Sequence, residues 1–119
     1  MTTTSPELTR QHCVPCEGGI PALTLDQTLA YLAALPQWHL AADGKRIRRE
    51  WRVKDFATAL DFFNRVGQIA EEEDHHPDLH LAGYRQVAIE IGTHAINGLS
   101  ENDFILAAKI DQLPVELKK

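Results

Sequence analysis

Apolar residues recur at helical spacing in three segments of the chain, and each segment opens on a residue that favours helix capping. The first helix begins after Thr24 and ends at Pro36, which cannot continue a helix. The second begins after Asp55 and is stopped before Pro77, and the third follows Ser100. The predicted inward stripe of the long second helix contains Phe56, Leu60, Phe63, Val66 and Ala70.

Two further segments alternate apolar and polar residues, as strands with one buried face do. The first surrounds Asp43-Gly44, a dipeptide that readily adopts the positive φ angles of a tight hairpin turn. The second runs from Leu79 to Thr93, with its turn at Gly83. The element order is therefore αββαββα. It predicts an α+β fold, in which a four-stranded antiparallel sheet has its helices packed on one face.

The first part of the chain lacks this periodicity. Residues 1–22 are rich in threonine, proline and glycine, so we expect an irregular N-terminal arm there. Residues 23–119 are then expected to form a single domain, because a chain of 119 residues can bury one core but hardly two.

Composition narrows the classes of function. A net charge of -5 argues against binding to nucleic acid through its phosphates, which requires clustered Lys and Arg. No apolar run approaches the roughly 20 residues that span a bilayer, and the first ten residues contain no hydrophobic signal-peptide core. We therefore expect a cytoplasmic protein that binds neither membrane nor nucleic acid.

The cysteines Cys13 and Cys16 are separated by two residues in the predicted arm, with His12 beside them. This is half of a zinc site by ligand count, and a second pair of ligands would have to come from elsewhere. Two reduced thiols in an irregular arm are the alternative. The sequence assigns these cysteines no role.

Candidate chemistry lies at the ends of the predicted elements. His75 and His76 stand at the exit of the long helix, and His94 follows the last strand. Histidine has an unperturbed pKa near 6.5, so its side chain can give or accept a proton at neutral pH. The alternative for the pair is structural, because a histidine at a helix C-terminus can satisfy carbonyl groups there.

The spacing of these histidines and their neighbours is more informative than their number. The ordered set is Glu71, His75-His76-Pro77, Tyr84, His94 and Asp103. Together with residues 51–56 and 93–103, it resembles the signature of the pterin-4a-carbinolamine dehydratase family. The resemblance extends over about residues 38 to 113, some two thirds of the chain.

This resemblance implies a hydro-lyase that removes the 4a-hydroxyl of a 4a-hydroxytetrahydropterin as water and leaves quinonoid dihydropterin. It assigns the catalytic residues as His75, His94 and His76, the pterin-binding residues as His76, Glu71 and Asp74, and a supporting residue as Asp103. It implies no cofactor and no metal. It also implies a homodimer or homotetramer that serves an aromatic amino acid hydroxylase in the same pathway.

Three alternatives stay open beside this interpretation. The family also includes a transcriptional coactivator, so the chain could be a noncatalytic binding or assembly module. Histidines and nearby carboxylates could bind a metal, although His75 and His76 lack the i, i+4 spacing of a helical metal pair. Asp103 lies three residues after Ser100, which favours a helix-capping role for it.

Overall fold

The computed structural model describes residues 5–13 and 21–119. The helices are α1 (Ser5–Thr9), α2 (Leu25–Ala33), α3 (Phe56–Glu73) and α4 (Glu101–Asp111), and His94–Ile96 forms a 3₁₀ turn. The strands are β1 (His39–Leu40), β2 (Ile47–Arg52), β3 (Asp78–Ala82) and β4 (Gln86–Ile91). Within the described residues, no helix is long and apolar enough to cross a membrane.

The four strands form one antiparallel sheet in the order β1-β2-β4-β3. In the central pair, Ile47 lies opposite Ile91 and Trp51 opposite Val87, and all four side chains are buried. They share a hydrophobic core with residues of all four helices or their flanking segments. Since neighbouring residues of a strand point to opposite faces, the charged residues directly next to Ile47 and Trp51 in β2 lie on the open face. The predicted α+β class and one-sided sheet are confirmed.

The predicted inward stripe of α3 is wrong in part. The buried positions along the helix are Ala59, Phe62, Val66, Ala70 and Glu73. Phe56 is 49% exposed and Leu60 is 44% exposed, although both were predicted to face inward. Apolar residues occupy more than half of the helix circumference, so periodicity indicates a helix without fixing which part of the wide apolar surface meets the core.

The predicted irregular arm contains a helix that the sequence analysis missed. Residues Ser5–Thr9 form α1, which packs against α4, and the side chain of Leu8 is completely buried. A helix of five residues is too short to show a periodic pattern, and isolated helices of that length are unstable in water. Burial of one leucine against the domain supplies the stabilisation that the local sequence of this helix lacks.

The end of the described arm is fastened to the domain by a buried carboxylate. Glu73, the last residue of α3, accepts hydrogen bonds from the backbone N–H of Cys13 (2.8 Å) and from Nδ1 of His12 (2.9 Å). Lys109 of α4 donates a third through Nζ (3.1 Å). Burial opposes ionisation of Glu73, but these three donors outweigh it and lower the pKa of the carboxyl to about 2.

This low pKa predicts how the protein responds to acid. The charged interactions of Glu73 stabilise the fold fully above the ordinary pKa of 4.5, and this contribution is lost as the pH falls towards about 2. We expect Glu73→Gln to be less stable than the wild type at neutral pH, and the difference to shrink between those two values. Urea unfolding of both proteins over a series of pH values measures this difference in the free energy of unfolding.

The exposed neighbour Glu72 offers a matched control, because Glu72→Gln removes the same charge from the same helix. It is expected to leave the free energy of unfolding nearly unchanged at every pH. A deficit of Glu73→Gln that stays constant across this pH range would contradict the prediction.

Candidate active site

The exit of α3 and the segment after β4 meet to form one open cleft. It has a volume of about 360 Å³, and its walls are formed by Asp74, His75, His76, Gly92, Thr93, His94 and Ala95. The three histidines singled out from the sequence therefore share one cleft. Asp74 lies in its wall, whereas Glu71 and Asp103 are not among the residues that line it.

A sharp turn of the backbone brings the histidine pair into the cleft. Asp74 follows α3 in the left-handed conformation, with φ 51° and ψ 42°. Its N–H and that of His75 both bond to the carbonyl of Ala70, the latter over 3.1 Å. These bonds satisfy carbonyl groups at the helix end, and Pro77 then prevents the chain from returning to helix.

His75 is the most enclosed of the three histidines. Its side chain is only 12% exposed, and its Nε2 lies 2.6 Å from Oδ1 of Asp103. A carboxylate oxygen accepts hydrogen bonds, so this contact favours the tautomer in which Nε2 carries the hydrogen of the neutral ring. The other nitrogen, Nδ1, is then the one with a lone pair to accept a proton.

Asp103 is itself held by two further donors, although it is completely buried. The backbone N–H of Ser100 donates to Oδ2 (2.8 Å), which closes the first turn of α4. The hydroxyl of Thr93 lies 3.1 and 3.0 Å from the two carboxylate oxygens. The predicted capping role is therefore confirmed, and the same carboxylate also contacts His75.

His76 differs from its neighbour in its surroundings. Its Nε2 lies 2.9 Å from Oε2 of Glu71, and both side chains are exposed. A pair of this kind in contact with water contributes little to stability. The contact with Glu71 orients the imidazole of His76 at the cleft. Glu71 therefore acts on the site indirectly, by way of His76.

His94 opens the 3₁₀ turn and lies between two clefts. Besides the histidine cleft, it lines a neighbouring one of about 220 Å³ together with Lys45 and Arg46 of the β1–β2 hairpin. Gly92 lies in the walls of both clefts. A Cβ atom at Gly92 would approach the carbonyl oxygen of Lys45 to 2.7 Å, so only glycine allows the hairpin this close.

Two contributors to the site were missed from the sequence. Thr93 and Gly92 precede His94 directly, but a lone threonine and glycine at a strand end carry no distinctive pattern. Their roles depend on contacts with other elements, Asp103 of α4 for Thr93 and Lys45 of the hairpin for Gly92. Only the three-dimensional fold reveals them.

Other candidate ligands are not assembled into a metal site within the described part of the chain. No group of three or more His, Cys, Asp or Glu side chains there is arranged to hold a metal ion. His80 bonds to Glu90 on the sheet and does not line the histidine cleft. Cys13 contacts the carbonyl of Asn102 through Sγ (3.6 Å), and Cys16 lies outside the described residues.

Comparisons with known proteins identify a family. Residues 21–113 match the model of the family described as pterin 4 alpha carbinolamine dehydratase. A protein of Methylococcus capsulatus, named as a putative pterin-4-alpha-carbinolamine dehydratase, is 45% identical over 92% of this chain and 95% of its own length. The crystal structure of a transcriptional coactivator/pterin dehydratase from Brucella melitensis has a TM-score of 0.71 at 34% identity, over 76% of this chain and 95% of that one.

A plant relative is longer than this chain. The protein named pterin-4-alpha-carbinolamine dehydratase 2, mitochondrial, from Arabidopsis thaliana is 52% identical over 92% of this chain. The chain spans 60% of the length of that relative.

The burial of Asp103 predicts that removing its charge will destabilise the protein. In Asp103→Asn, one acceptor oxygen becomes an NH₂ group that faces donors, so at least one hydrogen bond to a charged group is lost. We expect a destabilisation of about 1.5–3 kcal/mol, measured by urea unfolding at neutral pH. Asp78→Asn, the same change at an exposed carboxylate of β3, is the control. Equal stability of the two variants would refute the role given to Asp103.

Proposed function

The chain belongs to the pterin 4 alpha carbinolamine dehydratase family, and on this premise we propose that it is a hydro-lyase acting on 4a-hydroxytetrahydropterins. The reaction removes water and leaves quinonoid dihydropterin. The observation that best supports this proposal is the cleft in which His75, His76 and His94 meet, with a completely buried carboxylate behind His75. Its open form and its polar walls suit a flat heterocycle rich in hydrogen-bonding groups.

The elimination needs a base and an acid at the same time. A base takes a ring N–H proton, the electrons of that bond form a C=N bond, and the C4a–O bond breaks. An acid protonates the departing hydroxyl, which leaves as water. One proton is taken up by the base and one is given by the acid, so the enzyme has no net gain or loss of protons. Each such transfer is typically accelerated about 10²- to 10⁴-fold by a positioned side chain.

We assign the base to His75. Asp103 holds its Nε2–H, so Nδ1 keeps a lone pair in the neutral ring. The carboxylate also stabilises the positive charge that the ring acquires when Nδ1 accepts a proton, as a carboxylate does for histidine in hydrolytic triads. His75 is therefore prepared both to take the proton and to carry it.

The other polar groups of the cleft receive the remaining roles. His94 is exposed and lines the same cleft, so it can exchange protons with water, and we assign it as the acid. His76, oriented by Glu71, binds the pterin and takes part in the proton transfers. Asp74 accepts hydrogen bonds from N–H groups of the substrate. Asp103 supports the site through His75. No metal or cofactor has a role in this scheme.

The setting of the reaction is also a proposal. Aromatic amino acid hydroxylases produce the carbinolamine, so we propose that this chain serves one of them in recycling pterin. We propose a cytoplasmic location from the sequence, whereas the plant relative is named as mitochondrial. A noncatalytic role is the second candidate, because the solved structure from Brucella melitensis is named as a transcriptional coactivator/pterin dehydratase.

The decisive assay follows the loss of a synthetic 4a-hydroxytetrahydropterin by absorbance, with the buffer rate subtracted. His75→Ala and His94→Ala are expected to lower kcat by about 10²- to 10⁴-fold. His76→Ala is expected to raise KM and to lower kcat less, because its main role is to bind the pterin. His39→Ala, on the exposed strand β1, is the control and should keep wild-type kinetics.

Three results would refute parts of the proposal. If the wild-type chain is no faster than buffer, the noncatalytic candidate replaces the enzyme. If exhaustive chelation abolishes turnover and added metal restores it, histidine catalysis without metal is wrong. Full activity of His75→Ala would remove that residue from the mechanism.

We further propose that the chain forms a homodimer or homotetramer through α3. Phe56 and Leu60 are about half exposed, and the partly buried Phe63 continues the same side of the helix. Residues at i, i+4 and i+7 lie on one side of a helix, so these three form an apolar stripe towards solvent. Such stripes on soluble proteins commonly mark association surfaces.

A charge in this stripe is expected to disrupt the assembly. Leu60→Arg should lower the mass measured by sedimentation equilibrium, because association would bury an unpaired charge. Glu72→Arg introduces the same side chain about 120° around the helix from Leu60 and should leave the mass unchanged. An oligomer in which both variants keep the wild-type mass would exclude the stripe as the interface.

A further inference from the structure

Glu73 is a buried charged group that the dehydration scheme does not use. Its carboxylate is bound by donors from two other parts of the chain, the arm residues His12 and Cys13 and the α4 residue Lys109. Burying an ionised carboxylate is costly unless hydrogen bonds compensate for the lost water. These three donors provide that compensation, so the carboxylate holds three segments in one arrangement.

The position of Glu73 connects this arrangement to the candidate base. Glu73 ends α3, Asp74 makes the left-handed turn, and His75 follows at once. The N–H groups of Asp74 and His75 are both bonded back to the last turn of α3. The turn is therefore short and internally bonded, and a rotation of the helix end moves the imidazole of His75 with it.

The same two elements are joined a second time beside the active site. On α4, Lys109 binds Glu73, and Asp103 binds His75. These two α4 residues are separated by roughly 9 Å along the helix at 1.5 Å per residue. Two attachments at different heights prevent the end of α3 from pivoting on α4, which one attachment alone would allow.

The arm reinforces this connection near the start of α4. The backbone N–H of Cys13 binds Glu73, and its sulfur contacts the carbonyl of Asn102 at 3.6 Å. Asn102 directly precedes Asp103. The arm residue thus bridges the end of α3 and the first turn of α4, the two places from which His75 and its carboxylate partner arise.

We infer that Glu73 is a positioning residue for the proposed reaction: bound to His12, Cys13 and Lys109, it fixes the end of α3 so that His75 meets Asp103 in the productive geometry. The inference rests on the proposed function. It gives residues of the N-terminal arm a part in catalysis, although neither His12 nor Cys13 lines the histidine cleft.

The test compares Glu73→Ala and Glu73→Gln with the exposed control Glu72→Gln, all in the full chain. Misplacement of a reacting group by about 1 Å can cost on the order of 10²-fold in rate. We expect Glu73→Ala to lower kcat per folded molecule by about 10- to 100-fold with little change in KM. Glu73→Gln keeps an acceptor oxygen for Cys13 and should recover part of the loss.

A spectroscopic measurement separates positioning from simple stability. Nε2 of His75 lies 2.6 Å from Oδ1 of the buried Asp103, so we expect its proton to exchange slowly and to give a downfield NMR signal in the wild type. We expect this signal to weaken or vanish in Glu73→Ala, measured where circular dichroism shows the variant folded, and to persist in Glu72→Gln. Lys109→Met removes one donor from outside the turn and should weaken it to a smaller degree.

Two outcomes would overturn the inference. The first is a folded Glu73→Ala with wild-type kcat and an unchanged His75 signal. The second is a loss of activity that follows the unfolded fraction alone, with normal kcat per folded molecule. The NMR signal does not require turnover, so it decides the positioning role even if the wild-type chain proves inactive as a dehydratase.

Discussion

A carboxylate that is removed from water must collect hydrogen bonds from the protein, and Asp103 collects them from three separate places. The N–H of Ser100 comes from the start of its own helix, the hydroxyl of Thr93 from the end of the sheet, and the ring N–H of His75 from the exit of α3. Each donor is needed, because an unsatisfied buried charge is costly. The same hydrogen bonds therefore fix how α3, α4 and the sheet pack around Asp103 and how the cleft is built.

The second buried carboxylate, Glu73, acts on the same joint from the other side. It links α3 and α4 without lining the cleft, and it brings the arm into the same arrangement. Between them, the two carboxylates constrain a junction that hydrophobic packing alone would leave able to slide, because apolar contacts have little directional preference. Precision at His75 thus depends on directional hydrogen bonds, whereas the stability of the domain as a whole depends on the apolar core.

The sequence predicted the parts of this molecule that follow from local physics. Helix caps, the Asp43-Gly44 turn and strand alternation gave the α+β class, and the histidine spacing gave the residues that meet in the cleft. It did not predict α1, because one buried leucine makes no pattern, nor the outward side of α3. Glu73 could not be distinguished from its exposed neighbour Glu72 by sequence, since the donors that bind it come from distant segments.

At Asp74, the residue in the left-handed conformation at the exit of α3, selection for stability and selection for substrate binding favour different side chains. Asp74 tolerates this conformation at a cost of roughly 1 kcal/mol, which glycine would avoid. A directed-evolution screen for heat resistance alone would therefore favour glycine there. The same change would strip a carboxylate from the wall of the cleft, where the proposed reaction uses it to hold the pterin. Under the proposed reaction, the aspartate at this turn therefore exchanges some stability for substrate recognition.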